Sequence, residues 1–138
     1  MNFKSIIEMK KIMLVFAMLT FCIGYAVAQN QADIKFDKTE HNFGAFSQEK
    51  GTVTTVFTFT NVGTAPLVIH QAVASCGCTV PEYSQEAVLP GKTGTIKVTY
   101  DARDKYPGHF KKSVTIRTNA KTETVRLFIE GEVLADVK

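Results

Sequence analysis

From Asp33 onward the chain alternates apolar and polar residues with a period of two and shows no sustained helical period. Val53, Phe57 and Phe59 fall on one side, with Thr54, Thr58 and Thr60 on the other. Leu67, Ile69 and Val73 share a side, while His70 points away. Ile96, Val98 and Tyr100 alternate with Thr95, Lys97 and Thr99, and Val114 and Ile116 with Ser113, Thr115 and Arg117. Val125, Leu127, Ile129 and Val133 alternate with Arg126, Glu130 and Glu132. Successive side chains of a strand face opposite ways, so each run predicts a strand with one buried side. An N-terminal run, Ile34 to Phe36, resumes at His41 to Phe46. Two residues break the pattern: Phe128 falls on an outward face and Gln71 on an inward one. The first suits contact with a neighbouring loop or strand end, or else a partner-binding surface, since lone exposed apolar residues are common.

Turn-forming residues separate the runs: Asn61-Val62-Gly63 with Pro66, Pro90-Gly91-Lys92, Pro107-Gly108, and Asn119-Ala120-Lys121. Roughly seven short strands in about 100 residues predict an all-β, immunoglobulin-like, seven-stranded antiparallel sandwich over residues 33–138. The cysteine spacing excludes the antibody-type disulfide between sheets. Gln29 to Ala32 read as a short flexible start.

Residues 1–28 have the pattern of a secretory signal peptide. Lys4, Lys10 and Lys11 form a basic segment, Ile12 to Tyr25 an apolar one, and Ala26-Val27-Ala28 a cleavage site that leaves Gln29 first. The apolar run is shorter than the roughly 20 residues of a membrane anchor. Met9 is an alternative start. Leu19-Thr20-Phe21-Cys22 loosely matches a lipidation site, but bulky Phe21 precedes the cysteine where a small residue is expected. Lipidation at Cys22 is therefore the lesser reading. The whole chain has 138 residues and a formal charge of +3. The leader removes three lysines and Glu8, leaving 110 residues at +1, enough for one core-forming domain. Such a balance points away from nucleic acid and towards protein partners. Export to the periplasm or the cell exterior of a bacterium places the cysteines where disulfides persist.

Chemistry concentrates in Cys76-Gly77-Cys78. In an extended strand these two Cα atoms would lie about 6.5–7 Å apart, at the upper limit for a disulfide. Gly77 can take a positive φ, and a bend there would close the gap. So small a loop stabilises little, which suits a local turn lock or a redox element. Redox-active thiols, a soft-metal site for Cu(I) or Zn(II) and two inert thiols are the other readings. Two sulfurs are too few for a tetrahedral zinc site, and His41, His70 and His109 are scattered. There is no Cys-x-x-Cys, phosphate loop, Gly-x-Ser-x-Gly or His-Glu-x-x-His. Asp101, Asp104, Glu82 and Glu86 read as solvated loop carboxylates. The longest loops are expected at Thr79 to Val88 and Asp101 to His109, making Tyr83, Arg103 and Tyr106 candidate contact residues. No aromatic platform spaced for sugar stacking is evident.

The order Phe57-Thr-Phe-Thr-Asn61-Val-Gly63-Thr-Ala-Pro66-Leu67-Val-Ile69, Ser75-Cys-Gly-Cys-Thr79, Leu89-Pro-Gly91, Gly94 to Tyr100, Gly108-His-Phe110 and Gly131 resembles the bacterial family called domain of unknown function 1573. His41-Asn-Phe43-Gly44 resembles its opening motif. The similarity spans nearly all of Ile34 to Val133. The resemblance implies a seven-stranded immunoglobulin-like fold, akin to PapD-like, major-sperm-protein-like and ASH domains, in an exported bacterial protein. Many members of that wider group are interaction modules. It implies no reaction and no cofactor.

Overall fold

The computed structural model describes residues 2–21 and 29–136. Cys22 and the Ala26-Val27-Ala28 segment lie outside the described residues. Phe3–Phe21 forms one helix, α1, and no described helix is long and apolar enough to cross a membrane.

Eight strands follow: β1 (Ile34–Phe36), β2 (Glu40–Ser47), β3 (Thr52–Asn61), β4 (Ile69–Ala74), β5 (Thr79–Tyr83), β6 (Thr93–Asp101), β7 (Gly108–Thr118) and β8 (Thr124–Leu134). They form two four-stranded sheets, β1-β3-β6-β5 and β2-β8-β7-β4. The expected sandwich is present, with the N-terminal run divided between the sheets. β1 pairs antiparallel to β3, whereas β2 pairs parallel to β8, a departure from a wholly antiparallel fold. A strand that crosses between sheets keeps its direction, and β8 runs that same way.

The inward residues of both sheets make the core. Phe57, Ile96, Val98, Ala102 and Ile116 have no exposed surface. The Tyr100 and Phe110 rings stack across the sandwich at 3.9 Å. Each such large side chain contributes roughly 2 kcal/mol on burial.

Three expectations change. Val73 is 46% exposed rather than inward. A bulge between Ile69 and Gln71 shifts the register against β7, so that Ala72, Ala74 and Cys76 pack on the core while Gln71 and Val73 face out. The misplaced Gln71 is the trace of that bulge in the sequence. Secondly, Thr79 to Tyr83 is a strand rather than loop; it forms the edge beside β6, where Pro81 is tolerated. Gln31 and Ala32, placed in a flexible start by sequence, are tied down. The Gln31 carbonyl accepts from Thr64 N–H at 2.9 Å and the Ala32 carbonyl from Lys121 N–H at 2.8 Å.

Candidate functional site at the Cys76 pole

β4 and β5 are edge strands of different sheets, and Ser75 to Cys78 carries the chain from one to the other. Thr79 N–H donates to the Cys76 carbonyl at 3.2 Å, closing a tight turn with Gly77 and Cys78 at its centre. The Cα atoms of Cys76 and Cys78 are 5.3 Å apart and their sulfurs are joined as a disulfide. The turn achieves this without the positive φ expected of Gly77, which is absent from the four glycines that have one. A Cβ built on Gly77 would meet nothing within 4 Å.

Both flanks of the turn are anchored. Ser75 N–H donates to the Ser113 carbonyl at 2.8 Å, and Ser113 N–H returns a bond to Ser75 Oγ at 3.1 Å. On the other flank Asp101 N–H donates to the Cys78 carbonyl at 2.8 Å. One anchor belongs to each sheet. The two residues differ in exposure: Cys76 is half-buried and Cys78 is buried. The Thr79 hydroxyl, buried with its residue, lies 3.5 Å from Cys76 Sγ and 3.9 Å from Cys78 Sγ.

Beside the turn opens a cleft of about 290 Å³ lined by Cys76, Gly77, Cys78, Asp101, Asp104 and Lys105. Its far wall is the β6–β7 loop. Gln48 organises that loop from a distance, its side-chain amide donating to the carbonyls of Arg103 at 3.0 Å and Lys105 at 2.8 Å. Ala102 N–H donates to the Gly51 carbonyl at 2.8 Å. Sequence reasoning missed Gln48, since nothing local marks a side chain that bonds more than fifty residues away. Arg103 clamps Asp101: Nε donates to Oδ1 at 2.9 Å, a terminal guanidinium nitrogen to Oδ2 at 2.5 Å, and the Arg103 backbone N–H to Oδ1 at 3.1 Å. These bonds hold the Asp101 carboxyl at about 2, below its usual 3.8.

The candidate contact residues divide. Tyr106 stands 94% exposed on the β6–β7 loop. Arg103 is exposed but engaged with Asp101. Tyr83 is not on a loop; it sits on β5 opposite Ile96 with its ring half-buried against the core. Phe128 faces outward on β8, half-buried, with Lys111 Nζ 5.2 Å from its ring centroid. The histidines stay apart. His41 contacts Lys38 at 3.0 Å, and burial together with the Lys38 charge lowers its pKa. His109 lies 3.5 Å from Glu130, and His70 is exposed on β4. Among the described residues no three His, Cys, Asp or Glu side chains converge as a metal cluster.

The opposite pole, where β3 ends, is closed. Asn61 has no exposed surface. Its side-chain nitrogen donates to the carbonyls of Ala65 and Val88, both at 2.8 Å. Its side-chain oxygen accepts from Gly63 N–H at 3.0 Å and Asp33 N–H at 3.4 Å. A Cβ on Gly63 would lie 2.3 Å from the Gln31 carbonyl oxygen, so only glycine fits there. Asn119 joins Val68 N–H and the Pro66 carbonyl in the same way. The Asn61-x-Gly63 and Pro66-Leu67 signature is therefore a structural knot.

Residues 34–133 match the family model described as protein of unknown function (DUF1573), and the chain belongs to that family. No curated protein matches it. Among solved structures, a protein of unknown function from Porphyromonas gingivalis W83 is similar at 16% identity and a TM-score of 0.67, covering 78% of this chain and 50% of that one. The chain thus spans half the length of that protein. The ASH/PapD-like domain 7 of human CEP192 is similar at 11% identity and a TM-score of 0.61, over 82% of this chain and 93% of that domain. The VesB protease of Vibrio cholerae is similar at 15% identity and 0.57, over 73% and 31% respectively. At these identities the likeness is one of fold.

Proposed function

We propose that this chain is an exported, non-catalytic binding module that engages a protein partner through the Cys76 pole. The observation that carries this reading is the contrast between the two ends. At the Asn61 pole the conserving of polar groups is internal: both amide atoms of Asn61 are bonded within the fold. At the Cys76 pole a loop held in shape by Gln48 presents Tyr106, Asp104 and Lys105 to solvent beside a cleft. An aromatic side chain on a pre-shaped loop can bind with little loss of loop entropy. The helical, lysine-bearing leader supports export, with Gln29 as the mature start. Held as a disulfide, the two sulfurs offer no thiolate to Cu(I) or Zn(II).

A photo-crosslinking residue at Tyr106 tests the reading, with one at Lys121 on the opposite pole as control. In the cells that make the protein, adducts are expected from position 106 and not from 121. Equal labelling, or labelling at 121 alone, would overturn it. The intact mass of the mature protein tests export, since cleavage after Ala28 gives a chain beginning at Gln29.

A further inference from the structure

We propose that the Cys76–Cys78 disulfide is a thiol–disulfide exchange site whose reductant is a dithiol, with Cys76 as the sulfur attacked and Cys78 as the leaving group. The assignment stands apart from partner binding through Tyr106, because exchange is measured with a small dithiol. Three observations carry it.

The first is access. Cys76 is half-buried while Cys78 is buried, and both line a cleft of about 290 Å³ open to solvent. Gly77 leaves the outer side of the turn bare, although neither its φ nor its surroundings demand glycine. A side chain there would add bulk to the turn that carries both sulfurs. The second is the independence of the turn from its own bond. Ser75 is held to Ser113 and Cys78 to Asp101 by backbone hydrogen bonds, so the corner keeps both anchors when the sulfurs part. A loop of three residues also removes little chain entropy. The third is Thr79, whose hydroxyl reaches both sulfurs and can donate to the one that becomes a thiolate. Lys105 lines the cleft together with Asp101 and Asp104, its charge acts on Asp101, and Asp101 is already paired with Arg103. An incoming thiolate therefore does not meet an uncompensated negative wall.

The chemistry balances with the dithiol alone. One thiolate of the reductant attacks Cys76 Sγ, forming a mixed disulfide as the Cys76–Cys78 bond breaks, and the electron pair leaves on Cys78 Sγ. The second thiolate of the reductant then attacks its own sulfur in the mixed disulfide and expels Cys76 as thiolate. The reductant ends as a disulfide, and Cys76 and Cys78 end as two thiols after taking up two protons. Two electrons have moved.

The test follows reduction of the oxidised mature protein by dithiothreitol, with acid quenching, alkylation and intact mass. The folded protein is expected to react within about tenfold of the rate in denaturing urea, scaling with the reductant thiolate as pH rises. Glutathione in excess is expected to trap an adduct on Cys76. Thr79→Val should slow the reaction about tenfold and Thr79→Ser restore it, because a hydrogen bond to the leaving sulfur lowers its pKa. Gly77→Val, whose Cβ meets nothing within 4 Å beyond its chain neighbours, should also slow it in the native state and leave the urea rate unchanged. A native rate more than about a hundredfold below the urea rate, an adduct on Cys78, or reduction that occurs only on unfolding would overturn the proposal and leave the bond a structural lock.

Discussion

The two ends of this sandwich are built from similar turn-forming residues and are held by different physics. At the Asn61 pole a fully buried amide satisfies four backbone groups from three stretches of chain. At the Cys76 pole the covalent link spans three residues, the ion pair is exposed, and the loop tip carries a bare tyrosine. Buried hydrogen bonds cannot be exchanged for water without leaving orphaned partners. Exposed ones can, and a short disulfide constrains little. The closed pole therefore carries more of the fold's stability than the open one.

The sharpest way to break this comparison is to remove the knot. Asn61→Ala leaves the Ala65 carbonyl and the Gly63 N–H without their side-chain partner and takes one of two bonds from the Val88 carbonyl, which still accepts from Leu67 N–H. The expected loss is about 3 kcal/mol in urea unfolding. Gly63→Ala forces a Cβ onto the Gln31 carbonyl and is expected to cost about 2–3 kcal/mol. If either variant unfolds with an unchanged midpoint, the Asn61 pole is not the keystone described.

At the other pole the disulfide should matter less. Loop closure over three residues predicts a loss of only about 1.5 kcal/mol when Cys76 and Cys78 both become alanine. A loss above roughly 3 kcal/mol would show the corner to be a brace and erase the difference between the ends. Smaller still, Tyr106→Ala is expected to stay within about 0.5 kcal/mol of the parent while abolishing crosslinks made from that loop. A large loss of stability would mean that Tyr106 is a packing residue.

The same asymmetry governs what could be read in advance. The alternation of Val53, Phe57 and Phe59, or of Leu127, Ile129 and Val133, declares its strands because burial on one side imposes a period of two. β5 was hidden by Pro81 and by its brevity, both tolerable at an edge. The reversal after Ile69 left one clue, an inward Gln71, because a bulge moves every later side chain to the other face. Asn61-x-Gly63 was legible as a turn, but not as the buried hub it is, since two of its four partners, Asp33 and Val88, are 28 and 27 residues away. At the Cys76 pole the cysteine pair was evident, whereas the cleft was not. It depends on Gln48 holding a loop more than fifty residues away, a contact that no local pattern encodes. Gly77 showed the opposite error: its capacity for positive φ was legible, and the fold does not use it.

The smallest effect probes the ion pair beside the cleft. Asp101 titrates at about 2 in the folded protein against 3.8 ordinarily, chiefly through the Arg103 side-chain and backbone hydrogen bonds. A depressed carboxylate contributes stability above its unfolded pKa and loses it as pH falls through the folded value. Wild type should therefore exceed Asp101→Asn above about pH 4, with the gap closing between about pH 4 and pH 2. Asparagine can still accept from the Arg103 backbone N–H, so the comparison isolates the ionic part. Because the pair is exposed, the gap should be a Tm difference of about 2 °C or less, and added salt should narrow it. Thermal melts across that pH range decide the matter. A gap that persists unchanged to pH 2 would mean that Asp101 acts through loop geometry alone, and the open pole would then owe its shape to Gln48 and not to charge.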